Sequence, residues 1–215
     1  MSAAEAPRGP VRRGLTLGEL VLLAVLAVVL GFLYWALVQL WGALQLAMGP
    51  LGDLAQHVLA GGWMLAAPLA TYIVRKPGVG VVVEMLAAFV EVAFLASPVG
   101  PVLLVVGLVQ GAGAELPFTL TRYRRYGWGV FVASGVSAAL ASLAMGCVRF
   151  GWMSQDWFAW RVALTVVSGT LLCGLLARAL GDALARTGVL DGTALGRARR
   201  AAARTDAHDD GVPVA

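Results

Sequence analysis

The stretch LGELVLLAVLAVVLGFLYWALVQL, residues 17–40, carries a single charged side chain, Glu19. A run this apolar matches the roughly 20 residues a helix needs to cross the hydrocarbon core of a bilayer. Five more apolar stretches follow, at about Leu54–Val74, Val79–Leu95, Val102–Thr119, Trp128–Val148 and Phe158–Ala185. Most are long enough to span, whereas the third and fourth are short and call for local thinning or little tilt. The fold expected is therefore an all-α integral membrane protein, a bundle of six transmembrane helices. Composition agrees: 60% of residues are hydrophobic and 13% charged, against about 45–50% and 25% in a soluble domain.

Arg12 and Arg13 precede the first stretch, as in a secretory signal. Its apolar run exceeds the usual 7–15-residue core and five more segments follow, so it reads as a retained helix. Basic residues near short loops stay on the cytoplasmic side. With six spans and the N-terminus inside, that side collects Arg8, Arg12, Arg13, Arg75, Lys76, Arg122, Arg124, Arg125, Arg178, Arg186, Arg197, Arg199, Arg200 and Arg204. Of 16 basic residues only Arg149 and Arg161 fall outside, which supports an N-in, C-in topology. The net charge of +4 thus reports topology and needs no nucleic-acid partner.

Pro50 and Gly52, Pro77 and Gly78, and Pro98, Gly100 and Pro101 mark short turns, so the spans form one domain over residues 15–186. Residues 1–14 form a cytoplasmic N-terminal segment, and residues 187–215, mixing Gly, Ala, Arg and Asp, read as a weakly ordered cytoplasmic tail. No internal repeat is visible, which counts against inverted-repeat transporters. Cys147 and Cys173 lie within or beside spans and offer neither a disulfide framework nor metal-site spacing.

Ionisable groups in the membrane are costly and face the bundle interior or a cavity. Glu84 and Glu91, seven apart, share a helix face. Gln110 falls near mid-membrane, and Gly107, Gly111 and Glu115 follow one line on the fourth span. Pro117 frees the carbonyl of Gly113. Arg122, seven residues beyond Glu115, is the expected partner of an ion pair that is structural or couples to ligand. Asp53 and Gln56 have capping-box spacing. His57, one turn on, could join Asp53 as a metal ligand, but no third ligand stands nearby, so no metal is assigned.

Most tryptophans and tyrosines, Tyr34 and Trp41 among them, fall where an interfacial belt is expected. Trp63 lies deeper. Depth and polarity give Glu91, Trp63, Gln110, Glu84, Trp35 and Gln39 as the substrate-binding set, suited to a cationic or amine-bearing aromatic molecule. Small residues Ala27 and Gly31, four apart in the first span, suit close approach of a partner helix. No nucleophile-base arrangement, P-loop or dinucleotide fingerprint is present, so catalysis is not expected and the chain carries no cofactor of its own.

The segments GLVQGAGAELPFTLTRYRR, YIVRKPGVGVVVEMLAAFVEVAF and GGWMLAAPLA resemble the YkoE-type S component of energy-coupling factor (ECF) transporters, the membrane subunit linked to hydroxymethylpyrimidine and thiamine uptake. The resemblance spans about residues 15–186 and is most specific in the RKPG turn and the QG-x-GAEL segment. It implies a six-helix substrate-binding subunit in a prokaryotic plasma membrane. That subunit docks through small residues of its first helix on a transmembrane coupling protein, and paired cytoplasmic ATPases use the ATP. An S component for another vitamin or a metal ion, or a membrane scaffold without transport, are the alternatives.

Overall fold

The computed structural model describes residues 14–209, so residues 1–13, with Arg8, Arg12 and Arg13, lie outside the described residues. Every regular element among the described residues is helical. Helix α1, Leu17–Met48, starts at Thr16, whose side chain accepts from the Glu19 N–H while Glu19 accepts from the Thr16 N–H, a reciprocal cap. Glu19 also pairs with Lys76 at 2.6 Å, tying the start of α1 to a turn far along the chain.

The second span is broken. Helix α2, Gly52–Leu59, passes through a 3-10 stretch, Ala60–Met64, into α3, Ala66–Val74. After the tight Arg75–Gly78 turn, α4 covers Val79–Ala93, and α5 and α6 cover Leu103–Leu120 and Trp128–Phe150. The last span runs as α7, Phe158–Ser168, then a π-helical stretch, Gly169–Leu175, then α8, Leu176–Arg186.

Five of these units are long and apolar enough to cross a membrane: Leu17–Met48, Gly52–Val74, Leu103–Leu120, Trp128–Phe150 and Phe158–Arg186. The expected third span is the exception. Helix α4 has 15 residues, about 22 Å at 1.5 Å per residue, short of a hydrocarbon core of about 30 Å.

Two expectations are corrected by packing. The tail after residue 186 contains a further helix, α9, Ala194–Asp209. Leu190 and Leu195 are each 1% exposed within the main core, and Arg199 donates to the Asp182 carbonyl of α8 at 2.8 Å, so apolar anchors hidden in an Arg-rich segment dock it. Ala27 and Gly31 do not face outward. Ala27 is 2% exposed, and a methyl group on Gly31 would stand 2.7 Å from the Ala87 carbonyl oxygen of α4. The close approach their spacing promised occurs inside the subunit, between α1 and α4, and leaves neither residue for a partner.

Pro117 sits inside α5 as expected, and the carbonyl of Gly113 that it frees accepts from Ser137 of α6 at 2.6 Å. Ser134 serves the next carbonyl, Ala114, at 2.6 Å. Replacing Gly31 with Leu would overpack the α1–α4 contact and cost about 1–3 kcal/mol. A lowered thermal transition of the purified protein is expected, and an unchanged one would mean that α1 and α4 are not in close contact.

Candidate functional site

The break in the second span positions the site. A helix start leaves N–H groups without intrahelical partners, and in lipid these must be met by protein. Glu84 of α4 accepts from the Ala67 N–H at 2.8 Å, and the Tyr34 hydroxyl of α1 accepts from the Ala66 N–H at 2.9 Å. Ser168 accepts from the Gly61 N–H at 2.9 Å, and Cys173 donates to the Met64 carbonyl at 3.1 Å. Side chains from α1, α4 and the last span thus hold the interruption open.

Beside it lies a cavity of about 200 Å³. Glu84, Glu91, Trp63 and Gln110 all line it, so four of the six expected substrate contacts are brought together. Trp63 is oriented by its indole N–H, which donates to the Tyr34 carbonyl at 3.0 Å. Glu91, 2% exposed, accepts from the Ser97 hydroxyl at 2.7 Å. The cavity lies at the end of the bundle away from Lys76, which donates to the Gly14 carbonyl at the start of α1. Glu84 stands at the depth of the α3 start, with Glu91 two turns further toward the opposite end.

Trp35 and Gln39 are corrected. Neither lines the cavity: Trp35 packs against Phe32 with ring centroids 5.7 Å apart, and Gln39 is exposed. The inward face of α1 is Tyr34, Val38 and Trp41, spaced i, i+4 and i+7. That period is readable in the sequence, where Tyr34 and Trp41 also fit an interfacial belt. Trp41 meets Trp63 edge to face at 6.5 Å.

The Glu115–Arg122 pair is also corrected. Helix α5 ends at Leu120, and Arg122, with φ of 51°, turns away from it into an exposed position, so the seven-residue helical spacing does not apply. Glu115 instead accepts from the Gly78 and Val81 N–H groups at 2.6 and 2.9 Å, capping α4, and from the Tyr123 hydroxyl at 2.7 Å. Asp53 is not a cap. It sits inside the first turn of α2, hydrogen-bonds Gln56 and pairs with Arg161 of α7. His57 is 2% exposed and lines the cavity. No group of three His, Cys, Asp or Glu side chains placed to hold a metal ion occurs among the described residues.

Comparison with known proteins decides the family. The family described as "ABC-type cobalt transport system, permease component" matches residues 18–141. The curated protein "Putative HMP/thiamine permease protein YkoE" of Bacillus subtilis (strain 168) is 35% identical over 181 residues, covering 83% of this chain and 89% of the relative. This chain is a YkoE-type S component. A solved structure described as "Crystal structure of an S-component of ECF transporter" matches with a TM-score of 0.83 at 31% identity, covering 94% of this chain and 100% of that one. The S component is thus the non-catalytic, substrate-binding membrane subunit of an ECF-type transporter.

Its two cavity carboxylates divide in role. Glu84 is committed to the backbone of α3, and Glu91 is held by a single hydroxyl. Leaving a buried N–H unsatisfied costs about 1–3 kcal/mol. Glu84→Ala is expected to lower the thermal transition of the S component clearly more than Glu91→Ala does. Equal losses would show that Glu84 does not hold the break.

Proposed function

We propose that this S component captures thiamine or its hydroxymethylpyrimidine precursor in the cavity between the broken second span and α4. The observation that carries the reading is the shared cavity itself. Two buried carboxylates, an amide and the indoles of Trp63 and Trp41 line one space. An aminopyrimidine presents a ring nitrogen and an amine to a carboxylate and a flat face to an indole; thiamine adds a fixed positive ring. The volume of about 200 Å³ is below the roughly 300–1,000 Å³ of drug-sized pockets, which favours a ligand of one or two rings. The name of the Bacillus relative, a putative HMP/thiamine permease, points the same way.

The chain spans the membrane six times with both ends inside, α4 serving as a short third span. In support, Arg75, Lys76, Arg122, Arg124, Arg125, Arg178 and Arg186 follow one another on the side opposite the cavity in that topology. The cavity then opens outward, where an uptake subunit meets its substrate. A transmembrane coupling protein and two cytoplasmic ATPases complete the transporter and use ATP.

A cobalt ligand, which the matched family's description names, is the second reading. It has less support, because Glu84 is engaged with the backbone and both ring nitrogens of His57 are in contact with protein groups. Calorimetry with thiamine, hydroxymethylpyrimidine and Co²⁺ separates the two, heat from the metal alone overturning the first. A charge-assisted hydrogen bond contributes about 1.5–3 kcal/mol, and each 1.4 kcal/mol or so is tenfold in affinity. Glu91→Gln should therefore weaken thiamine or pyrimidine binding roughly tenfold to a hundredfold, and Trp63→Ala should weaken it through lost stacking. Unchanged affinity in both variants would remove the ligand from this cavity.

A further inference from the structure

The mouth of the cavity is bordered by the connection between α6 and α7, residues 151–157, with Phe150 and Trp152 on its wall. This strap is weakly attached. Its backbone hydrogen bonds are local: Gly151 N–H to Cys147, Ser154 N–H to Gly151, and Gln155 N–H to Trp152. Gly151 and Trp157 at its two ends adopt left-handed φ of 65° and 67°, and Met153 and Trp157 are 73% and 55% exposed.

Trp152 is the residue that ties the strap inward. Its ring lies over Gly146, where any side chain would collide with it. It meets the His57 imidazole edge to face at 4.7 Å, and the Arg161 guanidinium stands 5.7 Å from its centroid. His57 is itself locked. Arg161 Nη1 can only donate, so it donates to His57 Nε2 at 3.1 Å, which leaves Nδ1–H to donate to Thr165 Oγ1 at 2.9 Å. Arg161 closes the chain on Asp53 of α2. Both imidazole nitrogens are used, so His57 lines the cavity with no polar atom to spare for a ligand.

We propose that His57 is a positioning residue of a latch: with Arg161 and Thr165 it clamps α7 to α2 and seats Trp152, and release of Trp152 lets the strap swing to admit substrate. The latch governs access to the cavity and does not contact the ligand's polar groups. His57→Phe keeps a flat ring against Trp152 but loses both hydrogen bonds. His57→Gln keeps one acceptor and one donor.

The inference rests on the cavity being the substrate site, and its test needs no ligand. In the full chain with Cys147→Ala, Ser142→Cys places a thiol on the cavity wall, and its rate of reaction with a hydrophilic maleimide reads access. Native Cys173, fully buried outside the cavity wall, is the internal control. With a charge-assisted hydrogen bond removed, labelling at position 142 is expected to speed up about tenfold in His57→Phe. Trp152→Ala should act similarly, and His57→Gln should return the rate toward that of the parent. Cys173 should stay unreactive throughout. Labelling that is unaltered in both His57→Phe and Trp152→Ala overturns the latch, and so does equal acceleration at Cys173, which would report general loosening. Should neither thiamine nor hydroxymethylpyrimidine protect position 142 while the variants still accelerate it, the ligand assignment fails and the latch stands.

Discussion

A backbone N–H or carbonyl inside a bilayer has no water to turn to, and the second span of this protein breaks its own hydrogen-bond ladder in the middle of its path. Everything around the break answers that deficit. Glu84 and Tyr34 meet the start of α3, Ser168 meets Gly61, and Cys173 meets Met64. The same exchange recurs where Pro117 interrupts α5, with Ser134 and Ser137 as donors, and where Glu115 caps α4. Polar residues in these spans serve neighbouring backbones before they serve anything else.

That priority shapes the cavity. The interrupted span cannot fill the space beside it as a continuous helix would, and the side chains recruited to repair it bring polarity to an otherwise apolar wall. A binding site results in which one carboxylate is architectural and another, seven residues along the same face, is held by a lone serine hydroxyl.

Five membrane-length apolar helices and their approximate limits were legible from hydropathy, because length and polarity are what a bilayer selects. Family membership was legible in the RKPG turn and the QG-x-GAEL segment. Glu84, Glu91 and Gln110 were legible because an ionisable or amide side chain at depth needs an interior to face, and Trp63 because it lies too deep for an interfacial belt. What failed depended on where helices end and which way they turn. Arg122 was assigned to Glu115 by a helical period that stops two residues earlier. Ala27 and Gly31 carry the signal of a close helix contact, but spacing does not say whether the contacting helix is in the same chain. Tyr34 and Trp41 are ambiguous in the sequence because an aromatic near a span's end fits both a lipid belt and a cavity wall. The docking of α9 rests on two leucines within an arginine-rich segment, too few to give a periodic pattern.

The π-helical stretch in the last span shifts its phase. In α7 the buried positions are Arg161, Thr165 and Ser168, and an uninterrupted α-helix would carry that stripe on to Leu172, Leu176 and Ala179. Leu176 is instead 37% exposed and Ala179 faces outward, while Cys173 and Ala177 are buried, each one residue later than Leu172 and Leu176, and Gly181 continues that buried face four residues on. The span therefore behaves as two half-helices joined by a supernumerary residue, each with its own inward face. In a relative whose last span is a plain α-helix, the matching sequence would be one residue shorter, with the gap falling between Gly169 and Leu175. Insertions or deletions elsewhere in the span would turn either the Arg161 face from α2 or the Gly181 face from Tyr72.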